Sequence, residues 1–144
     1  MTLGTGLGQG QSSQEPHNGF WWVSKSETFK LGFVSGYVSA MIHAADNISL
    51  RCIAEKNGGV LPEKVPSDAV LKECTENPTV SLFDFDGIRF GQLQEGVDEF
   101  YKDFRNKGVY VEATMGYVRD QLKGKSEKEL QEELNVYRGV RPKN

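Results

Sequence analysis

The sequence predicts an all-α fold, an irregular bundle of four to five helices behind a flexible N-terminal tail. Three observations carry that prediction. Apolar residues recur at three- and four-residue spacing over long stretches, the period of a helix with one buried face. Two segments open with the Ser-x-x-Glu pattern of a capping box, in which the Ser oxygen and the Glu carboxylate satisfy free backbone N–H groups. A single run, Val80-Ser81-Leu82-Phe83-Asp84-Phe85, has strand-like composition, and one strand makes no sheet.

Taken in order, residues 1–19 are a linker-like mixture of Gly, Ser, Gln and Pro. They read as a flexible tail or as the remnant of an export signal. Residues 20–144 read as one helical domain of ordinary size. It begins at Phe20-Trp21-Trp22-Val23, an aromatic cluster expected to pack under the first helix. Ser24-x-x-Glu27 caps that helix. Phe29, Phe33, Tyr37 and Met41 then form one apolar stripe, widened by Val34, Val38 and Ile42. Gly32, Gly36 and Ala40 form a second row, of small residues. Glycine costs a helix about 1 kcal/mol relative to alanine, so this row predicts a neighbouring helix or ring close to the backbone. The helix is expected to end near Asp46-Asn47.

Residues 48–89 are less regular. Ile48 to Lys56 reads as a short helix stopped by Asn57-Gly58-Gly59, and Pro62 and Pro66 punctuate a loop. Pro66-Ser67-Asp68 opens a helix through Val70, Leu71 and Cys74, which Asn77-Pro78 stops. Val80 to Phe85 reads as an extended connection. Phe90 to Asn106 is the second strong helix, with Phe90, Leu93, Val97, Phe100, Tyr101 and Phe104 on an apolar stripe and Glu95, Asp98, Glu99, Lys102 and Asp103 on the polar, solvated face. Glu112 to Lys123 buries Met115, Val118 and Leu122 and stops at Gly124. Ser126-x-x-Glu129 opens the last helix, through Leu130, Leu134 and Tyr137, which Gly139 and Pro142 end.

Composition narrows the function. Hydrophobic residues make up 38% and charged residues 26%, a globular balance, and the net charge is −3. A nucleic-acid binder carries a basic excess or stripe. This chain has neither, and Arg138, Arg141 and Lys143 read as a solvated end. No run reaches the roughly 18 apolar residues of a membrane span. The longest weakly polar run, Leu31 to Ala45, is broken by Gly32, Ser35, Gly36, Ser39 and His43.

Cys52 and Cys74 match neither zinc spacing nor a CxxC redox motif. They are two buried thiols or one disulfide. Their loop-like flanks favour the disulfide, which would imply an oxidising compartment.

Candidate chemistry is sparse, and no cofactor or metal is predicted. His43 is the one histidine beyond the tail, since His17 lies within it. Late in a helix, His43 would interact favourably with the helix C-terminus. As a catalytic base it would need a nucleophile as well as an orienting carboxylate, and Asp46 supplies only the latter. Tyr101, Arg105 and Asn106, near a helix end, could line a polar site with Tyr110 or Tyr117, and His43 is the fourth candidate for it. Their other reading is structural: Tyr101 at the core edge, Arg105 complementing the helix dipole and Asn106 as a cap. Asp84-Phe85-Asp86-Gly87 is a turn rather than a calcium loop, because Leu82 and Leu93 stand where ligands are needed. Gly4, Gly6, Gly8 and Gly10 miss the dinucleotide-binding spacing.

Four pieces of the chain follow a familiar layout. Phe33-Val34-Ser35-Gly36-Tyr37-Val38-Ser39-Ala40 precedes a cysteine-bearing loop. Gly91-Gln92-Leu93 opens a helix ending in Phe100-Tyr101 and Arg105-Asn106, and an Ala113 to Leu122 helix follows. Over about residues 30–124 this resembles the Rap1a/Tai family of immunity-type periplasmic proteins, and equally other small secreted bacterial helical proteins. The chain lacks that family's cysteine after the last helix and has Arg105-Asn106-Lys107-Gly108 in place of its histidine-proline element. The resemblance implies a periplasmic or secreted, non-catalytic protein that binds another protein. Two alternatives stand beside it: an acid- or envelope-stress chaperone that exposes apolar faces conditionally, and a helical enzyme using His43.

Overall fold

The computed structural model describes residues 15–139. The glycine-alternating segment and Arg141, Pro142 and Lys143 lie outside them. Among the described residues the fold is all-α. Its helices are α1 (Gly19–Val23), α2 (Glu27–Lys56), α3 (Asp68–Thr75), α4 (Pro78–Ser81), α5 (Phe90–Phe100), α6 (Val111–Leu122) and α7 (Glu127–Tyr137), with a 3-10 turn at Phe104–Asn106. Five of them have eight or more residues.

The described chain is already tied to the bundle before residue 20. The His17 carbonyl accepts from the Val111 N–H at 2.7 Å, and the Gly19 N–H donates to the Lys107 carbonyl at 3.0 Å. Gly19 fits there because it has no side chain; a Cβ would overlap the Tyr101 ring. Asn18 caps α1 by accepting from the N–H groups of Phe20 and Trp21.

The cap of α2 is Ser26, not Ser24. Ser26 accepts from the Phe29 N–H at 3.3 Å, while the Ser24 hydroxyl donates to the Trp21 carbonyl at 2.6 Å and closes α1. Glu27 turns instead to Lys30 and Gln94. α2 also runs past Asp46-Asn47 for a total of 30 residues, about 45 Å at 1.5 Å per residue. Nothing at Asp46-Asn47 forces a stop. The stop comes at Asn57-Gly58-Gly59, where both glycines take the positive φ that L side chains avoid.

The connection expected to be extended begins as α4. The Asn77 side chain accepts from the Val80 N–H at 2.9 Å and Pro78 holds the first helical position, so local capping outweighs β-like composition. α5 ends at Phe100 rather than Asn106, because the Asp103 carboxylate accepts from the Arg105 N–H at 2.9 Å and starts the 3-10 turn.

The core is built from the first half of α2 with α5, α6 and α7. Trp22, Val34, Leu93, Val97, Val111 and Met115 are fully buried in it. α5 and α6 approach closely at Gly96, where a Cβ would overlap Val118. Gly32 and Gly36, expected to face a neighbour, have open space above them. At the head of the bundle the Trp22 indole N–H donates to Asp98 at 2.7 Å. The same carboxylate accepts from the buried Lys30 ammonium at 2.8 Å. Burial opposes that ammonium's charge, but Asp98 and Glu27 outweigh it and raise its pKa.

No residue between Ile42 and Asp84 belongs to this core. The second half of α2 and α3 instead form an arm, with Cys52 and Cys74 at disulfide distance, Sγ–Sγ 2.03 Å. The Lys56 ammonium pairs with Glu73 at 2.7 Å across the arm. The chain rejoins the bundle at Phe85, which is buried edge-on to Tyr37 at 5.9 Å.

Candidate functional site

Two surfaces stand out, one polar and one aromatic. The polar surface is an open groove of about 450 Å³ between the end of α5, the 3-10 turn, α6 and α7. Asp103 is its hub. Its carboxylate accepts from the Arg105 guanidinium at 2.7 Å and from Arg138 at 2.9 Å. The bonds from the Arg105 side chain and backbone hold its pKa at about 2. Arg138 also donates to the Asn106 side-chain oxygen at 2.8 Å, and the buried Asn106 amide donates to the Phe100 carbonyl at 2.7 Å. The sequence-predicted pair Arg105 and Asn106 is therefore brought together, by Asp103 and Arg138.

The other two candidates lie elsewhere. Tyr101 sits behind the groove, fully buried; its hydroxyl donates to the Val109 carbonyl at 2.8 Å and accepts from Thr114 at 2.9 Å. Burial pushes its phenol well above the ordinary range. His43 is exposed in the middle of α2, so it neither meets a helix C-terminus nor joins the other three. Of the two tyrosines named with them, Tyr117 lines the groove and burial raises its phenol, while Tyr110 is exposed beside His17.

Sequence reasoning missed Asp103 and Arg138. In sequence Asp103 resembles solvated helix surface; its signal is an Asp two residues before Arg105, the spacing at which an Asp side chain caps a turn. In sequence Arg138 resembles a solvated end, and no local pattern links it to Asp103, 35 positions earlier. Near neutral pH the groove holds fixed charges, an ionised Asp103 between two guanidinium groups, beside a protonated Tyr117.

The aromatic surface lies at the head of α2. Sequence reasoning expected Phe20, Trp21 and Trp22 beneath the first helix, yet only Trp22 is fully buried. Trp21 packs on Phe33 at 5.3 Å, on Phe29 at 5.7 Å and on His17 at 4.3 Å between ring centroids. The Lys25 ammonium lies 5.0 Å over the Trp21 ring, a cation–π contact. On the other side Phe20 meets Phe104 edge-on at 6.2 Å. A hollow of about 360 Å³ lined by Asn18, Phe20, Trp21 and Ser24 joins the two halves. Phe29, Phe20 and Phe104 are 46%, 56% and 76% exposed, so this is an aromatic face open to solvent rather than a core edge.

Among the described residues no cluster of three His, Cys, Asp or Glu side chains could hold a metal ion, and no helix is long and apolar enough to cross a membrane. Comparison with protein-family models, with curated proteins and with solved structures finds no match.

Proposed function

We propose that this chain is an exported helical module that acts by binding another protein through the aromatic face at the head of α2. The exposure of Phe20, Phe29 and Phe104 around Trp21 carries the reading. Aromatic anchors dominate binding energy at protein interfaces, and exposed clusters of them mark contact surfaces. This face is fixed before any partner arrives. α1 is tied to the bundle through the Trp22–Asp98 bond and the Gly19–Lys107 bond, so little ordering entropy is lost on binding.

Export is supported by the cysteine pair at disulfide distance, since such pairs persist in oxidising compartments. The resemblance to the Rap1a/Tai family, and equally to other small secreted bacterial helical proteins, supports an exported, non-catalytic protein. The test is site-specific photo-crosslinking in the native host, with the reactive amino acid at Phe29, at Phe104 or at the exposed Glu95 on α5. A discrete protein adduct at the first two positions and none at the third is the expected result. Adducts at Glu95 alone, or at no position, would refute the reading.

A further inference from the structure

We propose that the arm is a redox-gated flap: reduction of the Cys52–Cys74 bond releases residues 42–81 as one unit while the bundle keeps its structure. The arm gives no side chain to the bundle core, and only Ile53 and Cys74 are buried apolar side chains within it. Besides the sulfurs, the side-chain polar ties between α2 and α3 are the Lys56–Glu73 pair and the Ser49 hydroxyl donating to the Cys74 carbonyl at 3.3 Å; the other bonds of the arm are local to one helix or turn. A segment with so small a core does not recover the entropy of its own ordering, so the staple decides whether it is folded.

The limits of the moving unit are set by the bundle. On one side Met41 packs against the core. On the other, Arg119 donates to the Leu82 carbonyl, Lys123 pairs with Asp84, and Phe85 is buried against Tyr37. These anchors do not involve the sulfurs and survive reduction. Val60, Leu61 and Val65, exposed on the loop between α2 and α3, move with the arm.

Burial also decides which sulfur reacts. Cys74 is fully buried and Cys52 is partly exposed. A thiolate of an incoming dithiol attacks Cys52 Sγ and forms a mixed disulfide there. The Cys52–Cys74 bond breaks, and its electron pair, then a proton, go to Cys74 Sγ. The second thiol of the dithiol next attacks its own sulfur in the mixed disulfide. Cys52 leaves as a thiol, and the dithiol ends as a disulfide, oxidised by two electrons.

Hydrogen exchange on the full chain, oxidised and after treatment with dithiothreitol, tests the flap. The expected result is a loss of protection of at least tenfold in peptides spanning 42–81, with peptides of α5 and α6 unchanged. Unchanged exchange in the arm after complete reduction would overturn the proposal, and so would equal loss in α5 and α6. A Cys52→Ser, Cys74→Ser double variant should exchange as the reduced chain does and ignore dithiothreitol. If that variant does not fold, the wild-type comparison still decides, since reduction is done on folded protein. Brief exposure to glutathione followed by peptide mapping tests the direction of attack. An adduct on Cys52 is expected, and an adduct confined to Cys74 would overturn the assigned order.

Discussion

Gly32 and Gly96 both sit inside helices, and their surroundings give them opposite roles. The Gly96 position is filled by the Val118 side chain of the facing helix, so adding a methyl group forces the two helices apart. Gly96→Ala is expected to destabilise the fold by about 1–3 kcal/mol, the range for overpacking. Gly32 faces open space, so Gly32→Ala should stabilise α2 by roughly 0.5–1 kcal/mol through helix propensity alone. Urea titrations of the two variants check both signs. The two residues look alike in sequence, and the row at Gly32, Gly36 and Ala40 looks more like a packing surface than the lone Gly96 does. The deciding neighbour, Val118, is 22 positions away from Gly96 and leaves no local trace. Arg105 and Asn106 were legible as a polar pair near a helix end, whereas Arg138, which fastens them, was not, for the same reason.

At the level of elements, the apolar spacing specifies the helices themselves, whereas their ends depend on caps and neighbours that the spacing does not carry. Asp46-Asn47 resembles a helix end, yet neither residue prevents continuation, and α2 runs on to Lys56. α4 and the 3-10 turn arise from side-chain caps at Asn77 and Asp103, which act over two or three residues and override composition. Helix-to-helix fastening is partly ionic. Asp120 on α6 accepts from Arg119 at 2.6 Å and from Lys125 at 2.8 Å, and Lys125 also reaches Glu133 of α7 at 2.9 Å. Burial pushes the Asp120 carboxyl up, but the Lys125 and Arg119 bonds outweigh it and lower its pKa. A depressed carboxylate contributes stability above its unfolded pKa, near 4, and that contribution is lost as pH falls through the folded value. Asp120→Asn should therefore lower Tm at pH 7, and the gap to wild type should narrow as pH falls below about 4. Thermal melts across that range measure it. A gap that stayed constant with pH would show that the carboxylate charge plays no part.

Over the whole molecule, the chain divides into a bundle with a shared core and an arm with almost none. The all-α class was legible because it needs only periodicity and caps. The division was not, because it depends on which apolar residues fail to reach the core, and Ile42, Leu50 and Leu61 read like any others. Both tryptophans, Trp21 and Trp22, belong to the bundle. Tryptophan fluorescence therefore follows the bundle, whereas far-UV circular dichroism counts all helices. Reduction of the cysteine pair should lower the helical signal at 25 °C and leave the fluorescence-detected Tm within about 3 °C of the oxidised value, an allowance of less than 1 kcal/mol for a domain of this size. A fall of about 10 °C in that Tm would mean that arm and bundle unfold together.

α2 belongs to both halves. Its first turns hold Val34 and Val38 in the core, and its last turns carry Cys52 and Ile53 in the arm, with no break between them. A rod about 45 Å long, seated at one end and free along much of its outer side, is a lever. A pull on the arm loop would be delivered as torque around Val34 and Val38, the buried apolar residues of its first half, and would reach the aromatic face at the rod's other end.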